Sequence, residues 1–387
     1  MAIPLKYNLG SLTARRGSTA LTLLGIGVVI AVMLAMMALN NGVTKATVSS
    51  GSKENLMILR EGAQAEVSSW VTKEKFQILR SLPGIAAGNG GAPQISPELV
   101  IAFKLPKKDN PKGSNVTVRG VTPAAFEMRP YIKVIEGRMF KPGVNEVMVA
   151  RRIRERFVNT NVGDEFVFGP QRWVVVGVFD AAGTAFDSEI WADVGYLGLA
   201  RKREAYSSVL VRPADRTAQE SIRAAIRNDN RLKLQVKNEY QYYSEQMQGL
   251  VGIRILVGIV TVFMIIGAVL GTMNTMFSAV ASRKRELATM RALGFKRRTI
   301  LLTMVMESAL IAFLGGVVGL ILAFPINGIS TGTVNWSTFS EVAFNFRIDA
   351  QVAAIGIGLA VISGVIGGLI PAISAARMPI TRALREI

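Results

Sequence analysis

The sequence predicts an α-helical membrane protein with four transmembrane helices per chain and a large extracytoplasmic mixed α+β domain inserted between helices 1 and 2. Three observations predict it. Four long stretches carry no charged residue. About 200 residues with strand-like patterning separate the first stretch from the second, enough for a domain. Outside that insertion, lysine and arginine concentrate in three short segments. The 387 residues include 45 Lys and Arg against 27 Asp and Glu, a formal charge of +18, yet half are hydrophobic and mean hydropathy is +0.34. A basic nucleic-acid binder is polar on average, so this balance points to a membrane chain with localised charge and no nucleic-acid partner.

The charge-free stretches are residues 17–44, 255–282, 308–340 and 350–376. A hydrocarbon core of about 30 Å needs about 20 apolar residues in a helix. Three stretches meet this directly, and transmembrane helices are expected at 18–40, 251–281, 300–326 and 350–374. The third is long enough only if it begins near Ile300, which puts Glu307 at membrane depth or at the interface. An interfacial glutamate facing Arg297 or Arg298 is the plain expectation there. Lys6, Arg15 and Arg16 precede the first stretch as in a secretory signal. The stretch far exceeds a signal core of about 7–15 residues, so an uncleaved helix is expected.

Short-loop charge sets the orientation. Residues 1–17, 282–299 and 375–387 together carry thirteen Lys and Arg against two Glu. The loop 327–349 carries Arg347 against Glu341 and Asp349. The positive-inside rule then places both termini and 282–299 in the cytoplasm, with 1–17 as an amphipathic leader to the first helix. Residues 41–250 and the short loop 327–349 fall outside.

Within 41–250, strand patterns recur at 56–60, 98–103, 115–121, 146–149, 165–168, 172–179 and 207–212, punctuated by Gly, Pro and Asn. Helices are expected at 72–82, ended by Pro83-Gly84, and at 214–228. The domain is expected to have two lobes, and its charge of +8 reads as solvated surface. Residues 237–254 read as a polar, aromatic helix continuing into the second membrane helix as a stalk, with the first helix likewise reaching past Asn41. Tyr240, Tyr242 and Tyr243 fit either an interfacial belt or packing on the domain.

Missing residues exclude much chemistry. With no Cys and no His, disulfides, thiol nucleophiles, Cys/His metal sites and Ser-His-Asp triads are ruled out. No G-x-x-x-x-G-K-[ST] phosphate loop occurs, so the chain does not bind ATP by that means. No catalytic or metal-ligating residue is expected. The stretch 282–299, SRKRELATMRALGFKRRT, has helical periodicity over 283–293 with Leu287, Met290, Ala292 and Leu293 as apolar points. Gly294 is a natural residue to end it, with basic residues following. A short basic amphipathic helix of this kind suits lipid headgroups or a groove on a soluble partner, and both readings stand.

Small residues mark close helix contacts: Gly267 with Gly271, Gly315 with Gly319, and Gly364 with Gly368. They serve packing within one chain or between two. Asn274 can hydrogen-bond across helices, and Pro371 is expected to end or kink the fourth helix.

The segment SAVASRKRELATMRALGFKRRTI, preceded by GTMNTM, closely resembles the loop joining helices two and three in permeases of the MacB/FtsX ABC-transporter family. GLIPAISAARMPITRALREI resembles the same family's C-terminal ending, NLGSLTARRGSTALTLLGIGV its approach to helix one, and MESALIAFLGGVVGL its third helix. VTVRGVTPAAF and VGDEFVFGPQRWVVVGVFD are similar to its periplasmic core.

The resemblance implies a permease dimer, of two copies or of a copy and a paralogue, in the bacterial cytoplasmic (inner) membrane. A cytoplasmic ABC ATPase dimer would bind ATP and Mg beneath it, so no cofactor is expected in this chain and it is not an enzyme by itself. Coupling helices would pass ATP-driven motion to the membrane helices and the periplasmic domain. Residues carried over to the coupling role are Arg283, Arg285, Glu286, Leu287, Met290, Arg291, Gly294 and Phe295. Phe295 stands where the family more often has a small residue, and Leu287-Ala288 replaces a commoner Ile-Gly. Outer partners under this reading are a periplasmic adaptor (membrane-fusion protein), a lipoprotein or a hydrolase, besides membrane lipids. The cargo is a lipid, drug or lipoprotein. The alternative is a non-transporting regulator that activates an extracytoplasmic cell-wall hydrolase.

Overall fold

The computed structural model describes residues 16–246, 251–335 and 340–378. The leader 1–15, the tail 379–387 and the middle of the expected stalk at 247–250 lie outside the described residues. The chain divides into two units. One holds the membrane helices; the other holds residues 43–251 together with 330–345.

In the membrane unit, four helices are long and apolar enough to cross a bilayer: Arg16–Val48, Val251–Ser282, Arg297–Ala323 and Ala350–Arg377. The third starts at Arg297, which supplies the length its apolar centre lacked. Ile26, Ile30, Met33 and Leu34 of the first helix join Met276, Val280, Met304 and Ile311 in one buried cluster. Helix approach is close where glycines fall. A Cβ on Gly315 would meet Ile26 at 2.7 Å, and one on Gly319 would meet the Gly27 carbonyl at 2.8 Å. One on Gly364 would collide with Ala312, and one on Gly368 with Ser308. These four glycines are therefore spent within the protomer. Gly267 and Gly271 have open space where a Cβ would stand, and exposed Asn274 follows one turn later on the same face. Pro371 lies inside the fourth helix, which continues to Arg377, so it does not end there.

The inserted unit is built on a ten-stranded mixed sheet. Its strands are β1 (Leu56–Arg60), β3 (Ile95–Leu105), β4 (Ser114–Val121), β5 (Lys133–Gly137), β6 (Glu146–Ala150), β7 (Glu165–Phe168), β8 (Gln171–Asp180), β9 (Glu189–Asp193), β11 (Ser208–Val211) and β12 (Leu234–Asn238). They run in the order β12-β1-β11-β3-β4-β9-β6-β8-β5, with β7 on β8, and the two-residue strands β2 (Val71–Thr72) and β10 (Ala205–Tyr206) pair separately. Two hydrophobic cores pack on it, and alternate residues of β1 and β11 feed them from opposite faces of one continuous sheet. One gathers Leu56, Ile58, Phe76, Leu79, Val209, Ile222 and Ile226; the other is centred on Trp173, Trp191, Phe179 and Phe186.

The expected strands all form, and the helices Lys73–Arg80 and Arg216–Asn228 fall where the periodicity put them. Thr72 and Asp215 cap them, accepting from the Lys75 and Ala218 amides. Three sheet strands were not anticipated. β9 is buried along its whole length although Glu189 and Asp193 read as polar ends. β5 is exposed throughout and shows no alternation. β12 corrects the expected helix at 237–254. Lys237 and Asn238 belong to this strand, paired antiparallel with β1, and a helix starts only at Glu239. Pairing with β1 satisfies the backbone and overrides the weak local preference.

The loop between the third and fourth membrane helices is also structured. It forms a hairpin of β13 (Ser330–Asn335) and β14 (Ser340–Asn345), which belongs to the inserted unit. Ala343 and Phe344 are buried there. The Ala343 amide donates to Ser188 Oγ at 2.7 Å, and Arg152 donates to the Ala343 carbonyl at 2.7 Å. Glu341 pairs with Lys107 at 2.6 Å and with Arg156.

Candidate functional site

The basic stretch after the second membrane helix folds as a separate helix, Lys284–Ala292, with Arg283 at its N-cap. Gly294 follows in the left-handed region at φ 94°, a conformation glycine adopts without strain, and its amide closes onto the Arg291 carbonyl. The helix has an inner and an outer side. Leu287 and Ala288 are buried, and Leu287 packs in the membrane-unit core with Met290 against it. Leu287 therefore cannot be a knob offered to a partner. Arg285, Glu286, Thr289, Ala292 and Leu293 face outward, with Leu293 74% exposed. Arg291 and Phe295 are half-buried, and Lys296, Arg297 and Arg298 continue the exposed cationic surface.

Glu307 corrects a second expectation. Its partner is Arg283, not Arg297 or Arg298. Arg283 Nη1 donates to both carboxylate oxygens, at 3.0 and 3.1 Å, and Glu307 is 3% exposed. A buried, hydrogen-bonded pair of this kind fixes position because losing one partner strands the other charge. It ties the start of the short basic helix to the middle of the third membrane helix. The residues expected to couple thus divide by position: Arg283 and Leu287 anchor the helix, Gly294 ends it, and Arg285 and Glu286 present its surface.

Nothing in the sequence pattern pointed to the charged network inside the inserted unit. Arg119 on β4 donates to Glu66 at 2.8 and 3.0 Å, to Glu189 at 2.8 and 3.0 Å, and to Glu98 at 2.7 Å. Arg129 donates to Glu98 at 2.6 Å and to Glu239 at 2.9 Å. All six side chains are buried. Burial pushes the Glu98 carboxyl up, but Arg129 and Arg119 outweigh it and hold the group below its ordinary value. Glu239 extends the network to both ends of the insertion. Its carboxylate accepts from the Ser52 amide at 3.0 Å and Asn55 Nδ2 at 2.8 Å, joining the segment after the first membrane helix to the helix Glu239–Gln246. Tyr242 and Tyr243 are buried in the same core, so they pack on the domain and form no interfacial belt. Their rings lie 5.2 Å apart, and Tyr242 Oη accepts from the Glu66 amide. A lone Arg or Glu in a strand pattern reads as surface, and only the fold brings these six together.

The MacB-like periplasmic core domain family matches residues 19–229, more than half of the chain, and the FtsX-like permease C-terminal family matches residues 258–380. The macrolide export ATP-binding/permease protein MacB of Bdellovibrio bacteriovorus is 24% identical, over 97% of this chain and 60% of its own length. The protein of the same name from Nitrosomonas europaea is 24% identical, over 94% of this chain and 56% of its own length. The pyoverdine export ATP-binding/permease protein PvdT of Pseudomonas entomophila is 24% identical, over 95% and 57%. The chain thus spans about 60% or less of these relatives. Among solved structures, the periplasmic region of MacB from Actinobacillus actinomycetemcomitans matches 53% of this chain and 95% of that one, at a TM-score of 0.39 and 12% identity. The extracellular domain of the transporter YknZ from Gram-positive bacteria matches 48% and 100%, at 0.37 and 18%. With four apolar helices and two matching families that together run from the first helix to the fourth, the chain belongs to the MacB/FtsX-type family of ABC-transporter permeases.

Proposed function

We propose that this chain is the permease subunit through which a separate cytoplasmic ATPase dimer drives the inserted domain on the far side of the inner membrane. The work done is export or extraction of a lipid, drug or lipoprotein. The observation that carries the reading is the helix Lys284–Ala292. It presents Arg285, Glu286 and Leu293 outward while the Arg283–Glu307 pair and Leu287 lock it to the membrane helices. A push on such a helix is passed on, because its inner side cannot slip without stranding a charge. On this reading ATP and Mg sit on the ATPase; these 387 residues contain no phosphate loop. The termini and this helix face the cytoplasm by the positive-inside rule. A second permease copy packs on the open face of the second membrane helix at Gly267, Gly271 and Asn274, where Asn274 would otherwise meet lipid.

The test is ATP hydrolysis by the co-expressed ATPase, measured with Leu293→Arg and Arg285→Glu. Both sites are exposed, so both variants fold; both uncouple hydrolysis from transport. Retention of coupled hydrolysis in the two variants refutes the assignment. Leu287→Arg differs in kind, failing at folding because the site is buried. No feature among the described residues favours the hydrolase-activator alternative.

A further inference from the structure

The inserted domain has a half-open cleft of about 710 Å³ beside β3 and the short helix Val194–Ala200, a size usual for small-molecule sites. Its floor is apolar: Leu99 of β3 and Val194 are buried beneath it. Tyr206 lines one wall and packs against both hydrophobic cores. At the rim stands Leu199, 77% exposed, a large aliphatic side chain left in water.

The polar lining is unevenly matched. Lys73, Lys202 and Arg203 stand on it against Asp193 and Glu204. Asp193 is already engaged: its Oδ2 accepts from the Tyr196 amide at 2.8 Å and the Gly143 amide at 3.2 Å, capping the short helix Val194–Ala200. Glu204 is exposed. Arg203 is half-buried, makes no ion pair among the described residues, and has one long hydrogen bond, Nη2 to the Ser69 carbonyl at 3.5 Å. Burial pulls its pKa down, with no carboxylate to offset it. A partly desolvated guanidinium is costly unless an anion meets it, and a fork of donors suits a carboxylate or phosphate oxygen pair. Arg119 and Arg129, buried in the same domain, show the contrast, since each holds two or more carboxylates; buried Arg152 instead donates to the Ala343 carbonyl at 2.7 Å and lies 3.9 Å from Asp187.

We propose that this cleft binds an anionic amphiphile, with its acidic head on Arg203 and its apolar chain along Leu99, Val194, Tyr206 and Leu199. Lys73 and Lys202 sit at the mouth, where they raise the local concentration of anions. The site is independent of the coupling helix, so its test requires no ATPase and a failure would leave the coupling reading untouched.

The test is a fluorescence titration of the full chain, held in amphipol, with dansyl-labelled undecanoic acid. Binding is expected to be saturable with one probe per chain. Arg203→Gln and Leu199→Asp should each weaken it by about tenfold or more, and the probe's methyl ester should be weakened equally. Arg203→Lys, which keeps the charge but loses the fork of donors, should weaken binding by less than Arg203→Gln does. Arg231→Gln, away from the cleft, should change nothing. Retained emission from buried Trp173 and Trp191 confirms that each variant is folded. Inorganic phosphate at the probe's own concentration should leave the probe bound. Binding of acid and ester with equal strength, displacement by equal phosphate, absence of saturation, or parent-like affinity in both Arg203→Gln and Leu199→Asp would each overturn the proposal.

Discussion

Arg119→Met tests whether the charged network holds the inserted domain together. The change keeps most of the volume and removes a guanidinium that donates to Glu66, Glu98 and Glu189 at 2.7–3.0 Å. Three carboxylates then lose a cation, and only Arg129, already shared between Glu98 and Glu239, remains. Breaking a buried pair from one side costs about 3–5 kcal/mol, and that is the expected loss at pH 7. The assay is urea unfolding of the full chain, followed by emission of Trp173 and Trp191, both fully buried. Trp191 reports directly, because its Nε1 donates to Glu189 at 2.8 Å. The pH dependence gives a second signature. In the parent, Glu98 lies below its ordinary value of 4.5, so its contribution is present above that pH and is lost as pH falls through the folded pKa. In the variant Glu98 loses one of the two cations that hold it down, so burial, which raises its pKa, is opposed less. The parent's advantage at this group fades as pH falls, so the deficit should shrink on acidification. Adding Glu66→Gln should recover part of the loss. A deficit under about 1 kcal/mol, or one indifferent to pH, would refute the reasoning.

Four further outcomes are expected. Gly319→Leu should destabilise the protomer, since even a Cβ there would meet the Gly27 carbonyl at 2.8 Å. Gly271→Leu should leave the protomer folded and weaken self-association, read by light scattering in detergent. Glu341→Gln should loosen the β13–β14 hairpin at a cost of about 1–3 kcal/mol, read as faster proteolysis at that loop. Burial raises the Glu341 pKa, but hydrogen bonds from Lys107 and the charge of Arg156 bring it below the ordinary value, so acidification through that lowered pKa should release the hairpin too. Because the chain has no cysteine, a single Cys at Lys112 or at Lys296, both exposed, is a unique label site. An impermeant thiol reagent on cells with a permeabilised outer membrane should label position 112 and spare 296; the reverse pattern would sink the orientation and the coupling role with it.

Much of the site was legible locally. Gly294 follows the helix Lys284–Ala292 as its spacing implied, because a left-handed terminator is a property of a few adjacent residues. Which face of that helix is inward was not legible. Leu287 and Leu293 are equally apolar in sequence, but the packing of four helices buries one and leaves the other 74% exposed. The partner of Glu307 was missed for the same reason. Arg297 and Arg298 are nearer along the chain, yet the fold brings Arg283, in the turn after the second helix, against Glu307 of the third.

The sequence by itself determined the number of spans, the presence of an inserted α+β domain, the short basic helix and the family. Each follows from local quantities: uncharged length, two-residue or helical periodicity, and charge within short segments. Only the tertiary structure decided that β12 is a strand rather than the start of a stalk. It alone put the hairpin between the third and fourth helices in the inserted unit, and separated the glycines into four that are spent and two that are open. It also gathered two arginines and four glutamates into one buried network. These depend on which distant residues meet, and desolvated charges, close helix contacts and sheet pairing acquire their energies only once that meeting is fixed.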